Sequence, residues 1–259
     1  MWVDAHKATI YQYFQKSKFI FRAKIQPRKN LPKRSFMANY MIHTYPKRLW
    51  FVEDYIIPSM LEQGISRDNI RIHNDIDGEG NLRACMHSFM EVDDNDEGTW
   101  HIQDDVCICK DFKERTEWYD NGVVCGFSSA LYDGPGKVGA VRLDKMWFSF
   151  PCIRIPNQYA RECSDWVFNY IIGNPIYKMY WQSGKNDDWA FRAYLGNYHK
   201  EDAVLNIAPN LVDHVDYLLG GGSGGLRKKE DAEKCRAQYW KDYDVVQALE
   251  KKLGWKGDR

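Results

Sequence analysis

From Ser35 onward, short apolar runs alternate with stretches of helical period, and the alternation predicts strands and helices in turn. Phe36-Met37-Ala38-Asn39-Tyr40-Met41-Ile42-His43 reads as a buried strand. Thr44-Tyr45-Pro46 follows, where Pro suits the first helical turn. Leu49, Val52, Ile56 and Met60 then recur near one face of a helix that stops at Gly64, with Pro58 expected to kink or divide it. Asn69–Asp75 is the next strand. Leu82, Cys85, Met86, Phe89 and Met90 return to helical spacing, and Thr99–Ile108 is a third β-prone run interrupted by Asp104-Asp105. Strand, helix, strand, helix, strand implies an α/β fold with a mostly parallel sheet flanked by helices, and such sheets bind ligands beyond the carboxyl ends of their strands. Asp75, Asp104 and Asp105 all fall at predicted strand ends, so they are expected along one edge.

The pattern continues past Asp111 with a short amphipathic helix, then Asn121-Gly122 and a strand over Val123–Phe127. Gly134-Pro135-Gly136-Lys137 lacks the spacing of a phosphate-binding loop and reads as a turn. Met146–Ile155 is strongly β-prone. Asn157 is expected to cap a helix carrying Ala160, Cys163, Trp166, Val167 and Tyr170. Gly184-Lys185-Asn186-Asp187-Asp188 precedes a helix with Trp189, Phe191, Tyr194 and Leu195, so its carboxylates lie at a helix start, where backbone N–H groups favour an ionised acid. Asn206–Asp216 sets His214 between Asp213 and Asp216. The glycine run 220–225 is a hinge or lid, or else a backbone contact for phosphate. These shifts divide the chain into an extension (1–35), an α/β body (36–225) and a mixed-charge helical tail (226–259) whose Tyr239, Trp240, Val245, Val246 and Leu249 would dock on the body.

Net charge is zero over 259 residues, but its distribution is uneven. Residues 1–34 carry nine Lys or Arg against Asp4, whereas residues 74–105 carry ten acids against Arg83. In the basic arm Tyr11, Tyr13, Phe14, Phe19 and Phe21 interleave with Lys16, Lys18, Arg22 and Lys24. Such a stripe suits the phosphates and unstacked bases of a nucleic acid; it is equally the pattern of a solvated arm whose rings dock on the body. Seven cysteines without a C-x-x-C pair, no signal peptide and no long apolar span point to reduced thiols in the cytoplasm, with no membrane span. Cys107 and Cys109 alternate along a strand and read as packing residues. Ten Trp and sixteen Tyr favour a folded chain with aromatic-lined clefts over a disordered one.

The acid pair carries the chemistry. Two adjacent carboxylates in a poorly solvated place repel each other, and a divalent cation with its oxygen ligands is the usual relief. An exposed acidic turn is the plain alternative.

Over roughly residues 36–223 the chain resembles a glycosyltransferase of the GT-A type. The likeness lies in a first strand whose helix begins near Pro46-Lys47-Arg48, in Trp100-His101-Ile102-Gln103-Asp104-Asp105-Val106, in Asn186-Asp187-Asp188 before an aromatic helix, and in Pro209-Asn210-Leu211-Val212-Asp213-His214. More particularly it is similar to small bacteriophage glycosyltransferases, some of which decorate modified bases in DNA. The resemblance implies a GT-A-like (Rossmann-like) sheet and a nucleotide-sugar donor, expected to be a UDP-sugar. It also implies a Mn²⁺ or Mg²⁺ ion on the diphosphate. Gln103 occupies the first place of an Asp-x-Asp triplet, which leaves Asp105 as metal ligand and Asp104 as ligand or ribose partner. His214 would complete the shell, and an imidazole among carboxylates suits Mn²⁺ better than Mg²⁺; a surface His bonded to its neighbouring acids is the alternative. Thr44, Tyr45, Arg48 and Asp75 are the candidates for base and ribose, although Arg48 could face solvent. If transfer inverts the anomeric centre, Asp188 or Asp187 is the base, Asp188 being nearer the helix proper; one of the two could instead be the helix cap. The acceptor is a hydroxyl, either on a hydroxymethylated DNA base reached through the basic arm, in the host cytoplasm for a phage protein, or on a saccharide or lipid-linked glycan. A metal-dependent nuclease or phosphotransferase, and a nucleic-acid-binding protein without turnover, would use the same residues.

Overall fold

Alternation along the first strand, β1 (Asn39–Thr44), sends Tyr40 and Ile42 to one face of the sheet and Met41 and His43 to the other. A computed structural model gives the fold and describes residues 38–93, 98–119, 121–127, 139–143, 150–182, 187–200, 202, 204–208, 210–219 and 251–254. The basic arm 1–35, the turn at 134–137, Met146–Ser149, Gly184–Asn186, Pro209, the glycine run 220–225 and nearly all of the tail lie outside the described residues.

Helix α1 follows β1 as Leu49–Phe51, a π-helical turn over Val52–Ile56, and Ile57–Glu62. Pro58 was expected to kink or divide this helix, and a new α-helical segment does begin beside it, at Ile57. The proline sits in the first turn of the last segment, directly after the wider π turn, where its missing N–H is tolerated, and the helix runs on to Glu62. β2 (Ile70–Asn74), α2 (Asn81–Met90), β3 (Thr99–Gln103) and β4 (Val106–Ile108) come next. After α3 (Phe112–Glu117), β5 (Val123–Cys125), β6 (Gly139–Leu143) and β7 (Cys152–Ile155), α4 (Asn157–Trp166) continues into a second π turn, Val167–Ile171. α5 (Lys178–Gln182), α6 (Asp187–Tyr198), β8 (Val204–Ala208), β9 (Val212–His214) and α7 (Asp216–Leu219) complete the described elements.

Seven strands form one sheet in the order β2-β1-β3-β7-β5-β8-β6. β1 pairs in parallel with β2 and β3, and β5 with β8, while β7 is antiparallel to both β3 and β5 and β6 is antiparallel to β8. Five strands therefore run one way and two, β6 and β7, the other, so the sheet is mostly parallel as the element order predicts. On one face Tyr40, Ile42, Trp100 and Ile102 pack against Phe51, Val52, Ile56, Met60 and Phe112. On the other, Leu82, Met86 and Phe89 of α2 pack with Ala160 and Cys163 of α4 and Phe191 and Tyr194 of α6. Among the described residues no helix is long and apolar enough to cross a membrane.

Two polar details depart from the sequence expectation. Asn157 begins α4 without capping it; its side chain accepts from Thr99 Oγ1 at 2.8 Å and donates to the Asp93 carbonyl at 2.8 Å, tying helix to sheet. His43 and His101 face each other across β1 and β3, Nε2 to Nδ1 at 3.0 Å, under α2. Burial first, and the nearby His73 second, brings His43 down to about 3, so the pair is neutral.

Gly126 leaves β5 where a Cβ would come within 2.9 Å of both Cys152 Sγ and Leu211 Cδ1, and its backbone is held by Cys152 and Leu211. Gly126→Ala should cost about 1–3 kcal/mol by overpacking, read in urea as a lower midpoint with unchanged slope.

Candidate active site

β1 and β3 lie side by side with His43 opposite Gln103, so the residues that follow each strand emerge together at the carboxyl edge. Thr44 ends β1 and donates from Oγ1 to Asp104 Oδ2 at 2.9 Å. The chain then turns over Tyr45–Arg48, closed by Arg48 N–H to the Tyr45 carbonyl at 2.9 Å, and this turn aims Arg48 back at β3. Arg48 Nη1 donates to Asp104 Oδ1 and to Asp105 Oδ2, each at 2.9 Å. All three side chains are buried, with Arg48 only 5% exposed, so the expected solvent-facing alternative for this arginine does not hold. Its guanidinium lies 5.5 Å from the centre of the Tyr45 ring.

The sequence argument gave a divalent cation the task of relieving the acid pair. In the fold Arg48 and Thr44 perform much of it. One guanidinium between two carboxylates nevertheless leaves a surplus of negative charge in a buried place. Burial first, and then the charge of Asp105, pushes the Asp104 carboxyl up, against the pull of Arg48 and Thr44. For Asp105 burial acts upward too, but His214 and Arg48 outweigh it and hold the group below its usual range.

His214 reaches the site through a second, two-stranded sheet. β3 stops at Gln103, the chain turns at Asp104-Asp105, and β4 leaves to pair with β9, with Val106 opposite His214. Val215 N–H bonds the Asp105 carbonyl at 2.7 Å and locks the turn to β9. His214 Nε2 consequently lies 3.1 Å from Asp105 Oδ1, an oxygen that accepts no hydrogen bond of good geometry. The alternative of a surface histidine bonded to its neighbouring acids does not hold: His214 is half-buried and aimed at the acid pair.

Gln103, read from the sequence only as a departure from an acidic triplet, has its own partner. Strand alternation points it away from Ile102, toward the face that carries α6, and its Nε2 donates to Asp187 Oδ2 at 3.3 Å. Asp187 is buried at the start of α6, and its Oδ1 accepts the Asp188 N–H at 2.9 Å. Burial and then the charge of Asp188 raise it to about 7. Asp188 itself is half-buried and pairs with Arg192 one turn on, at 3.0 Å. Asp75 stays outside the cluster: its backbone N–H bonds the Thr44 carbonyl at 2.8 Å, but its carboxylate accepts from Glu79 and Gly80 N–H and closes that loop. The structure thus assembles Thr44, Tyr45, Arg48, Asp104, Asp105 and His214, adds Gln103 and Asp187 on the adjoining face, and leaves Asp75 and Asp188 at the margin.

The donor set fits a divalent cation. Asp105 Oδ1 and His214 Nε2 offer one carboxylate oxygen and one imidazole nitrogen at a common point, a combination suited to Mn²⁺. Among the described residues no group of three or more His, Cys, Asp or Glu is placed to hold a metal ion, so these two side chains would be the protein's whole share of the shell. An ion held here would complete its shell with water or with a ligand's phosphate oxygens, as hard cations on one or two carboxylates commonly do.

No family model matches the sequence, and no curated protein matches it. Among solved structures the chain is similar to a variant of Drosophila β-1,4-galactosyltransferase 7 in complex with manganese, UDP-Gal and xylobiose. The TM-score is 0.37 at 10% identity, over 78% of this chain and 82% of that one. The fold class is the expected α/β one, with a mostly parallel sheet between helices.

Two outcomes follow from the geometry. Arg48→Met leaves two buried carboxylates without their shared cation and should destabilise the fold by about 3–5 kcal/mol; adding Asp104→Asn should restore much of that in the same urea titration. For Asp187, the folded carboxyl titrates near 7 instead of 3.8, so between those values unfolding releases a proton and stability falls as pH rises. Asp187→Asn removes this dependence. Its stability advantage over the wild type should grow from nothing near pH 4 to a few kcal/mol, roughly, above pH 7; an advantage independent of pH would contradict the assignment.

Proposed function

We propose that the chain transfers a sugar from a nucleotide-sugar donor, a UDP-sugar first, to a hydroxyl acceptor with the help of Mn²⁺ or Mg²⁺. The observation that carries this reading is Asp105 Oδ1 facing His214 Nε2 at 3.1 Å, beside an acid pair that Arg48 and Thr44 hold at the carboxyl edge of β1 and β3. Asp105 and His214 hold the ion, which when bound supplies Lewis-acid stabilisation for the charge on a departing nucleoside diphosphate. Asp104, fixed through both oxygens, presents a constant edge to the ribose. Thr44, Tyr45 and Arg48 flank the donor. Asp187 is the base in this reading, in place of Asp188, because Asp188 is committed to Arg192 while Asp187 titrates near working pH, where a base is most effective. The acceptor O–H proton passes to the Asp187 carboxylate, the oxygen bonds the anomeric carbon, and the bond from that carbon to the diphosphate oxygen breaks.

For the acceptor, the nine basic residues of the arm against one acid support a hydroxymethylated DNA base, in a cytoplasmic setting. Removing residues 1–34 should then abolish salt-sensitive DNA binding.

The donor half is tested by thermal shift over common sugar nucleotides with Mn²⁺. A Tm rise that requires both ligands is expected. Asp105→Ala should abolish it, whereas Asp187→Asn should retain it and lower transfer about 10²- to 10⁴-fold. Equal loss of binding in the two variants would undo the division of roles, and Mn²⁺-dependent cleavage of DNA without any donor shift would favour the nuclease reading.

A further inference from the structure

A second concave site lies at the far end of α6. Its volume is about 540 Å³, within the range of small-ligand sites, and Trp166, Tyr170, Tyr177 and Tyr198 line it together with Asn169 and Asn197. The π turn Val167–Ile171 builds one wall: the wider turn leaves Asn169 and Tyr170 both facing outward before Gly173, at φ +84°, reverses the chain. Tyr170 is 64% exposed and Tyr198 59% exposed, so both offer open aromatic surface at the cavity. Among the described residues no charged side chain lines the cavity. Asn174 is spent on the local turn, since its side chain accepts from Ile176 N–H and donates to the Tyr170 carbonyl. Asn169 and Asn197 are exposed, so their amides face solvent.

From this lining we infer that the cavity binds a neutral saccharide, independently of the transfer chemistry proposed above. A sugar ring presents an apolar C–H face and a rim of hydroxyls that both donate and accept. Aromatic rings cover the first, and carboxamides, with two donors and a two-lone-pair acceptor each, answer the second. That the described lining is neutral argues against the other candidate with flat rings, a nucleic acid strand, whose phosphates demand cations. The site lies at the opposite end of α6 from Asp187. α6 begins at Asp187 and ends at Tyr198, so Asn197 lies about 15 Å along the helix from Asp187 at 1.5 Å per residue.

The test uses the full chain with no metal and no donor, and three neutral probes, maltotriose, cellotriose and chitotriose, followed by saturation-transfer NMR and calorimetry. At least one probe should bind. Tyr170→Ala and Asn197→Ala, both at exposed positions, should each weaken it tenfold or more, while Asp105→Ala should leave it unchanged. Failure of all three probes, or binding that survives both substitutions, would overturn the inference. So would oligo-dT bound in a Tyr170-dependent way, or a dimer in sedimentation that Ile176→Asp dissolves, since the face would then belong to a nucleic acid or to a second copy. None of these results touches the Mn²⁺-dependent donor shift, so the two readings fail separately.

Discussion

Two adjacent aspartates are buried at one point of this fold, and a single guanidinium makes that possible. Arg48 donates to both Asp104 and Asp105 from one nitrogen, and Thr44 closes the remaining oxygen of Asp104. Each connection demands something of the scaffold. β1 and β3 must be parallel neighbours, the Tyr45–Arg48 turn must close, and α1 must start directly after it so that Arg48 can reach across. Buried charges are costly unless paired with good geometry, so the sheet edge and the acid pair stabilise one another.

The pair is also where the chain changes sheets. Gln103 ends β3 with its side chain toward α6, whereas Asp104 and Asp105 turn toward α1 and β9. One short stretch thereby connects two chemically different groups. On one side lies a carboxylate held low by His214 and Arg48 against the pressure of burial; on the other lies Asp187, raised to about 7. Two acids pushed in opposite directions are what a site needs when one group must hold a cation and another must take a proton.

Much of the body was legible in the sequence because hydrophobic period alone separates its strands from its helices. The run Asn39–Thr44, the helical spacing of Leu82, Met86 and Phe89, and the acids at strand ends all appear where the pattern puts them. The strands β6 and β8 were not read from the sequence at all, and the reversed direction of β7 was not legible, since period does not encode direction. Nor was the rotation of Arg48 about its helix, because a residue in a first turn can face either way. Helix position favoured Asp188 as the base, but burial is what separates the two acids: Asp187 turns inward to Gln103 and Asp188 outward to Arg192. Pro58 marks the division of α1 as expected, but that the break takes the form of a π turn was not legible.

The proposed transfer requires Asp105 and His214 to share one ion. Pulsed EPR of Mn²⁺ added to the full chain with UDP reads this directly, through the nuclear modulation of a coordinated imidazole nitrogen. The account predicts a single nitrogen coupling that disappears in His214→Gln while the Mn²⁺ signal of the bulk ion grows. A bound Mn²⁺ with no nitrogen coupling, or one whose coupling survives in His214→Gln, would contradict it.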